Sequence, residues 1–549
     1  MNPRVGRGSL LLFAAGLIGL GCFVALNRQA FPTADVELQV DRRAALERAA
    51  EFVAARQVAL GGFENAVTMS SDGPAAVFLQ RTPEPAHEPP LSDLRIWHWR
   101  VRWFRSEEKA EVRVDVGPSG RIFLFEHVIP EAQAGTTIEL SQARALAEDF
   151  LTRVIGLDLA TLEEVEAASK QLDHRVDHTL EWRVRGYERP ASADFAAGAG
   201  TLRHRVRVQG DEIGLYEYDY KVPEAFERQL DSTMSRGLLL TIIAFVLLIG
   251  LGIAAVVVMV RAQRSAELQF RPSLVLGFVV VLANLVTILN SWPQLKSSYP
   301  TQMPYPVYIG IALAGTLLVA LIYGLVVLAC AASGDYSARR FGLPAAFALG
   351  PVPRPTLLTS TVLGYAFGCM FLGYVTLFYL FGRRYLGVWM PAEGPYSEVL
   401  STAVPALAPL AVSILAAVSE ESVFRLFAVP FLGRVFRGRG GLALALIVPA
   451  VIWAFAHSNY PVFPVWVRGL ELTIAGVAFG MLFLRAGFLA VVIAHYVIDA
   501  IFLAAPLILS GNRGYLTAGV VVVALAALPA LAILLWNRAA PQKPTAAPA

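Results

Sequence analysis

Cysteine is scarce: Cys22, Cys330 and Cys369 are the three in 549 residues, and each falls inside an apolar run. That excludes a disulfide framework and a thiolate metal centre, and leaves them as small core side chains. An excess of one charge sign is also missing. A formal net charge of +3, with basic residues spread through loops and one polar region, offers no stripe for nucleic acid. No H-E-x-x-H or comparable zinc spacing occurs. Charged residues make up 16% of the chain against 56% hydrophobic, and the apolar residues come in long blocks rather than at helix or strand periods. A single soluble core is excluded, and a membrane protein is indicated.

Arg4 and Arg7 precede an apolar run from Ser9 to about Leu26 without a small-x-small cleavage site, so residues 1–30 read as an uncleaved anchor. Nine further spans fit the hydropathy, near 237–260, 273–291, 306–331, 357–381, 400–432, 441–459, 467–484, 487–506 and 516–536. The sixth apolar segment of the chain is too long for one straight crossing, so a tilt or a break near Pro430 is expected. Arg261, Arg264, Arg271, Arg339, Arg340, Arg434, Arg437, Arg439, Arg485, Arg538 and Lys543 fall on one side, Lys296, Arg383, Arg384, Arg468 and Arg513 on the other. The positive-inside rule then puts both termini in the cytoplasm and residues 31–235 outside.

That exported region reads as an α+β domain with a diverged duplication, repeats at 38–135 and 138–225. The helix pattern D-R-R-A-A-L-E-R-A-A-E-F-V returns as S-Q-A-R-A-L-A-E-D-F-L. Each is followed by alternating strand-like stretches, which predicts two units with antiparallel sheets. The proline-rich Thr82–Pro90 and the Ala/Gly-rich Asp194–Gly200 read as loops. Six of the eight histidines lie in this region without a shared ligand spacing and read as surface or packing residues.

Ionisable groups at bilayer depth cost about 3 kcal/mol each and normally face a polar cavity. One block of the membrane half holds Glu420-Glu421-Ser-Val-Phe-Arg425, Trp453-Ala-Phe-Ala-His457 and His495-Tyr-Val-Ile-Asp499 on three separate helices. A spacing of four puts Glu421 with Arg425, and His495 with Asp499, on one helical face. Glu471 lies near the expected outer edge of its span, reads as snorkelling to water, and is left outside the site.

These motifs, E-E-x-x-x-R, F-x-x-x-H and H-x-x-x-N or H-x-x-x-D in this order, resemble those of the CAAX-protease and bacteriocin-processing (CPBP, or abortive-infection) intramembrane proteases, which include the type II CAAX prenyl endopeptidases. The second departs, with Trp453 where phenylalanine is usual, a swap expected to alter packing more than chemistry. The resemblance covers roughly residues 355–510. It implies that Glu420 and His457 hold and activate a water, that His495 and Asp499 face the oxyanion, and that Glu421 pairs with Arg425. Asp499 would donate if protonated, or orient His495 if ionised. No cofactor is expected. The alternative is a zinc ion on Glu420, His457 and His495, and the family is described in both metal-dependent and metal-independent terms.

The fold class expected is a polytopic all-α membrane bundle of about ten transmembrane helices carrying an extracytoplasmic α+β domain. Its divisions are an anchor (1–30), the exported domain (31–235), helices two to four (236–350), the protease-like domain (351–538) and a disordered tail (539–549). The function expected is hydrolysis of a peptide bond in a membrane-associated peptide or protein. Composition and the large exported insertion suggest a bacterial inner membrane, which disfavours a prenylated substrate. The exported domain would present substrate, sense an envelope signal or bind an envelope partner. The rival from another class is a non-catalytic receptor or scaffold. A transporter is a third, disfavoured because no paired broken helices occur in matching halves.

Overall fold

The computed structural model describes residues 7–539 except 32–36, 84, 86–87, 192–197, 266, 269, 345–347, 351, 389–392 and 439. Arg4, His87, Arg439, Lys543, most of the Asp194–Gly200 loop and the tail from 540 lie outside the described residues, as do the side chains of Arg7 and Arg538.

A helix α1 (Arg7–Ala30) leads into a β-rich domain. Its first half holds α2 (Arg42–Ala54), β1 (Glu64–Ser71), α3 (Gly73–Arg81), β2 (Trp97–Phe104), β3 (Glu111–Val116) and β4 (Ile122–His127). Its second half holds α4 (Leu140–Asp149), β5 (Leu162–Gln171), β6 (Val176–Val184), the short β7 (Arg189–Pro190), β8 (Ala199–Gln209) and β9 (Glu212–Lys221). Asp41 starts α2 by accepting the Ala44 N–H. Along β2, Trp97, Trp99, Val101 and Trp103 alternate into the core, and the Trp99 indole donates to the Val40 carbonyl. Between them, Arg100 and Arg102 face the other side and grip Asp115 and Glu111.

Two separate sheets were expected; one continuous antiparallel sheet is found, ordered β1-β2-β3-β4-β9-β8-β6-β5 with β7 beside β8. The halves fuse because β4 pairs with β9, with Phe125 opposite Tyr216. That pairing removes two edges that separate sheets would have left open. The described histidines of the domain are dispersed: His178 contacts Ser169 and the Ile138 carbonyl, His204 stacks on Tyr218, and His98 meets Asp115.

The membrane half continues with α5 (Glu224–Arg264), α6 (Phe270–Asn290), α7 (Trp292–Ser297), α8 (Tyr305–Phe341), α9 (Arg354–Tyr385), α10 (Glu393–Leu400) and α11 (Leu407–Glu421). A π-helical stretch, Ser422–Phe427, then leads into α12 (Ala428–Val435), α13 (Gly441–Phe455), α14 (Trp466–Ala486), α15 (Phe488–Leu509), α16 (Arg513–Ala526) and α17 (Leu528–Ala539). Nine helices among the described residues are long and apolar enough to cross a membrane. The tenth expected span is α13, whose 15 residues rise only about 22 Å. Nor does the long segment break near Pro430. Leu407–Val435 runs on as one span, with the irregularity upstream, where the Ala428 N–H reaches back five residues to the Val423 carbonyl. Proline 430 cannot donate to the carbonyl four residues before it, and the widened turn precedes it.

Helix α1 packs closely along α9, where a Cβ added at Gly19 would lie 2.5 Å from the Cys369 carbonyl oxygen. The β-rich domain is bolted to the ends of the spanning helices. Strand β1 bonds the Ser401 hydroxyl through Met69 N–H (2.9 Å) and C=O (3.1 Å), Lys296 pairs with Glu64 at 2.6 Å, and Leu38 N–H donates to the Ser510 carbonyl.

Trp99→Ala removes a fully buried indole and its bond to Val40, and is expected to cost about 3–5 kcal/mol. The check is the thermal or denaturant midpoint of the purified chain, followed by near-ultraviolet circular dichroism.

Candidate active site

The sequence-predicted residues come together at the end of α11, the end of α13 and the middle of α15. Glu421 is 0% exposed and accepts from two partners, Arg425 Nη1 at 3.0 Å and His495 Nδ1 at 2.7 Å. Its Oε2 and Arg425 Nη2 are buried without a partner. The Arg425 guanidinium lies 4.4 Å from the Trp453 ring centre and 4.9 Å from that of Phe479, so two aromatic faces accommodate a cation held away from water.

His495 carries the arrangement across its ring. Nδ1 faces Glu421, while Nε2 lies 3.4 Å from Asp499 Oδ2 and 3.9 Å from Glu420 Oε2. With carboxylates at both ends, a ring donating from both nitrogens is the form this geometry satisfies. Glu420 and Asp499 are 27% and 28% exposed, unlike Glu421. The two open carboxylates therefore sit on the accessible side of the imidazole and the closed one behind it.

His457 follows α13 by two residues, and its Nδ1 is 2.8 Å from the Trp453 carbonyl. A carbonyl only accepts, so Nδ1 bears the proton and Nε2 presents a lone pair. The Trp453 indole N–H donates to Glu420 Oε2. Phenylalanine cannot make that bond, so the aromatic swap adds a hydrogen bond to the change in packing. A metal set is a different matter. Among the described residues no three His, Cys, Asp or Glu side chains are grouped as metal ligands.

Glu471 was expected to snorkel. It is instead fully buried, accepting from Tyr379 (3.0 Å) and Arg468 (2.6 Å). Tyr379 of α9 and Arg468 one turn before it on α14 supply its partners, so the carboxylate is paired where it stands. Sequence reasoning also missed Phe479, whose ring is 5.8 Å from His495, and Tyr460, 5.7 Å from His457. Neither sits in a motif; only the apolar face of α14 pointed to Phe479.

Residues 402–501 match the family model described as Type II CAAX prenyl endopeptidase Rce1-like, an interval that contains all six motif residues. The resemblance read from the motifs is thereby borne out. The sporulation-killing factor biosynthesis protein SkfC of Bacillus subtilis (strain 168) is 25% identical over 421 residues, covering 74% of this chain and 77% of that protein. A stretch that long includes part of the β-rich domain. No solved structure matches the chain. The chain is a multi-pass membrane protein, and its residues 402–501 are similar to an endopeptidase family.

Removing one partner of the buried pair should be far costlier than removing the open acid. Glu421→Ala is expected to destabilise by about 3–5 kcal/mol, because it strands Arg425. Glu420→Ala is expected to leave the folded yield and melting temperature in detergent nearly unchanged.

Proposed function

We propose that this chain is an intramembrane endopeptidase in which Glu420 and His457 activate a water to hydrolyse a peptide bond. The observation that carries the reading is the half-open Glu420, 3.9 Å from a His495 ring whose far nitrogen is fixed by a buried carboxylate. In this reading the water oxygen attacks the carbonyl carbon as its proton passes to Glu420, with the His457 Nε2 lone pair holding the water. The His495 Nε2 proton faces the developing oxyanion, and Asp499 beside it fixes that nitrogen's direction. The C–N bond then breaks, and the proton on Glu420 is delivered to the leaving amine. Arg425 and Glu421 touch no reacting atom and hold His495 in place.

The substrate class proposed is a membrane-associated peptide or protein. SkfC is named for the biosynthesis of a sporulation-killing factor, and by that likeness a maturation step on a product of the same cell is the reading we favour. We place the chain in a bacterial inner membrane with the β-rich domain outside, in keeping with the loop charges. We also take that domain as a duplication, because each half sets a helix before its strands and the halves meet through their last strands, β4 and β9.

Comparing terminal peptides of membranes from cells expressing wild type or Glu420→Ala tests the proposal. A product lost in the variant is expected; identical products with altered binding of a partner would favour a scaffold instead. Asp499→Asn should retain substantial cleavage, since the amide still bonds His495, whereas Trp453→Phe should lower the rate roughly tenfold by releasing Glu420. Cleavage should survive chelation, with no stoichiometric zinc in the purified protein; a chelator-sensitive, zinc-loaded enzyme would contradict this.

A further inference from the structure

Strand β1 is one edge of the sheet, and the backbone groups of an edge strand face its neighbour and the outside by turns. Met69 sends both its N–H and its C=O outward to the Ser401 hydroxyl, whereas the Asp72 N–H, three residues on, turns inward to the Ile96 carbonyl. The odd-numbered residues of β1 therefore face away from β2. By that alternation Val67, opposite Val101, and Asn65, opposite Trp103, also present their N–H and C=O groups outward. No hydrogen bond from a described residue reaches them. They open instead on a cavity of about 530 Å³ between the β-rich domain and the membrane half, whose wall includes Asn65, Ala66, Val67, Trp292, Pro405 and Tyr515. Val67 is 6% exposed, and covered backbone groups without a partner are rare in folded chains. Charge does not select the occupant: Lys296 pairs with Glu64, Arg43 with Glu47, and Arg42 bonds the carbonyls of Leu400 and Thr402. What the cavity offers is a strand edge and an apolar wall.

We propose that an extended segment of the peptide substrate adds to the β1 edge in this cavity, exchanging main-chain hydrogen bonds with Asn65 and Val67. An unpaired edge is a ready template for such a strand, and the Ser401 hydroxyl, which already takes that role at Met69, marks where the added run stops. Trp292, Pro405 and Tyr515 flank the edge and suit apolar side chains at alternate positions of the segment. Naming the occupant as substrate rests on the peptidase reading, and the cavity's place supports it. Ala403 and Pro405 of the wall lead into α11, and Asn512 and Tyr515 follow α15. Glu420 lies about 20 Å down α11 from Leu407, and His495 a like distance down α15 from Leu509. About six extended residues cover that distance, so the scissile bond is expected that far from the docked segment.

Binding is read on the full-length Glu420→Ala chain in detergent, so cleavage plays no part. The probe is a fluorescein-labelled octapeptide of alternating valine and threonine, followed by anisotropy, beside the same peptide N-methylated at four consecutive central residues. Saturable binding is expected for the first and roughly tenfold weaker binding for the second, which has lost the donors a strand offers. Val67→Pro removes an outward N–H without touching the β1–β2 ladder, and Ala403→Trp fills the cavity from the membrane half. Each is expected to weaken binding by a similar factor, with a melting curve checking the fold. Residue-resolved hydrogen exchange gives the signature of strand addition: peptide should slow the amides of Asn65 and Val67 and leave those of Ala66 and Thr68, already turned to β2, as they were. No saturable binding, equal binding of the methylated peptide, unchanged affinity in both folded variants, or protection without that alternation would each overturn the proposal. So would a dimer of the chain that Ala403→Trp dissociates, since a second copy would then occupy the edge. None of these readouts involves cleavage, so their failure leaves the peptidase reading standing.

Discussion

A carboxylate removed from water inside a bilayer must be neutralised by groups that cannot move away. Glu421 meets that requirement with Arg425 one turn on and His495 on another helix. An ion pair of this kind adds little net stability over apolar packing but fixes register strongly, because any slip leaves a buried charge alone. Helices α11 and α15 are therefore locked at one depth, and the imidazole is turned to a single orientation. The aromatic faces of Trp453 and Phe479 close around the guanidinium, drawing α13 and α14 to the same point.

A second buried carboxylate obeys the same rule with a different outcome. Glu471 ties α14 to α9 through Tyr379 and to its own helix through Arg468. Inside the bundle these buried acids join helices through side chains, and at its ends the β-rich domain reaches backbone carbonyls, the Ser401 hydroxyl and Lys296. The first kind specifies which helices meet. The second sets where their ends stop, and so couples the β-rich domain to the membrane helices without touching the buried acids.

Much of this was legible in the sequence. Apolar block length gave the spans, because the hydrocarbon thickness is a fixed ruler, and i,i+4 spacing gave the facing pairs because the helix has one pitch. What stayed hidden depends on neighbours far along the chain. The pairing of β4 with β9 joins strands about ninety residues apart and leaves no local mark, so two sheets were expected where one exists. Glu471 carries the same ambiguity: its hydropathy context near a span end reads as water-facing, and only the Tyr379 hydroxyl from another helix makes it a core residue. The indole bond of Trp453 was missed because a substitution within an aromatic class was weighed by volume, not by its added donor. The site's members could be named in advance; their mutual bonds could not.

Two adjacent glutamates therefore cannot share one task. Neighbours on a helix point about 100° apart, so once Glu421 turns into the packed interior toward Arg425 and His495, Glu420 must turn toward the opening. The tandem acid is a division of labour imposed by helical pitch. The same pitch puts Asp499 one turn beyond His495, on the face that Nε2 occupies, opposite in role to Glu421 at Nδ1. The imidazole then stands between a carboxylate that never meets solvent and two that do. A site built this way keeps its buried charge and its open charge separate while taking both from a single turn of chain.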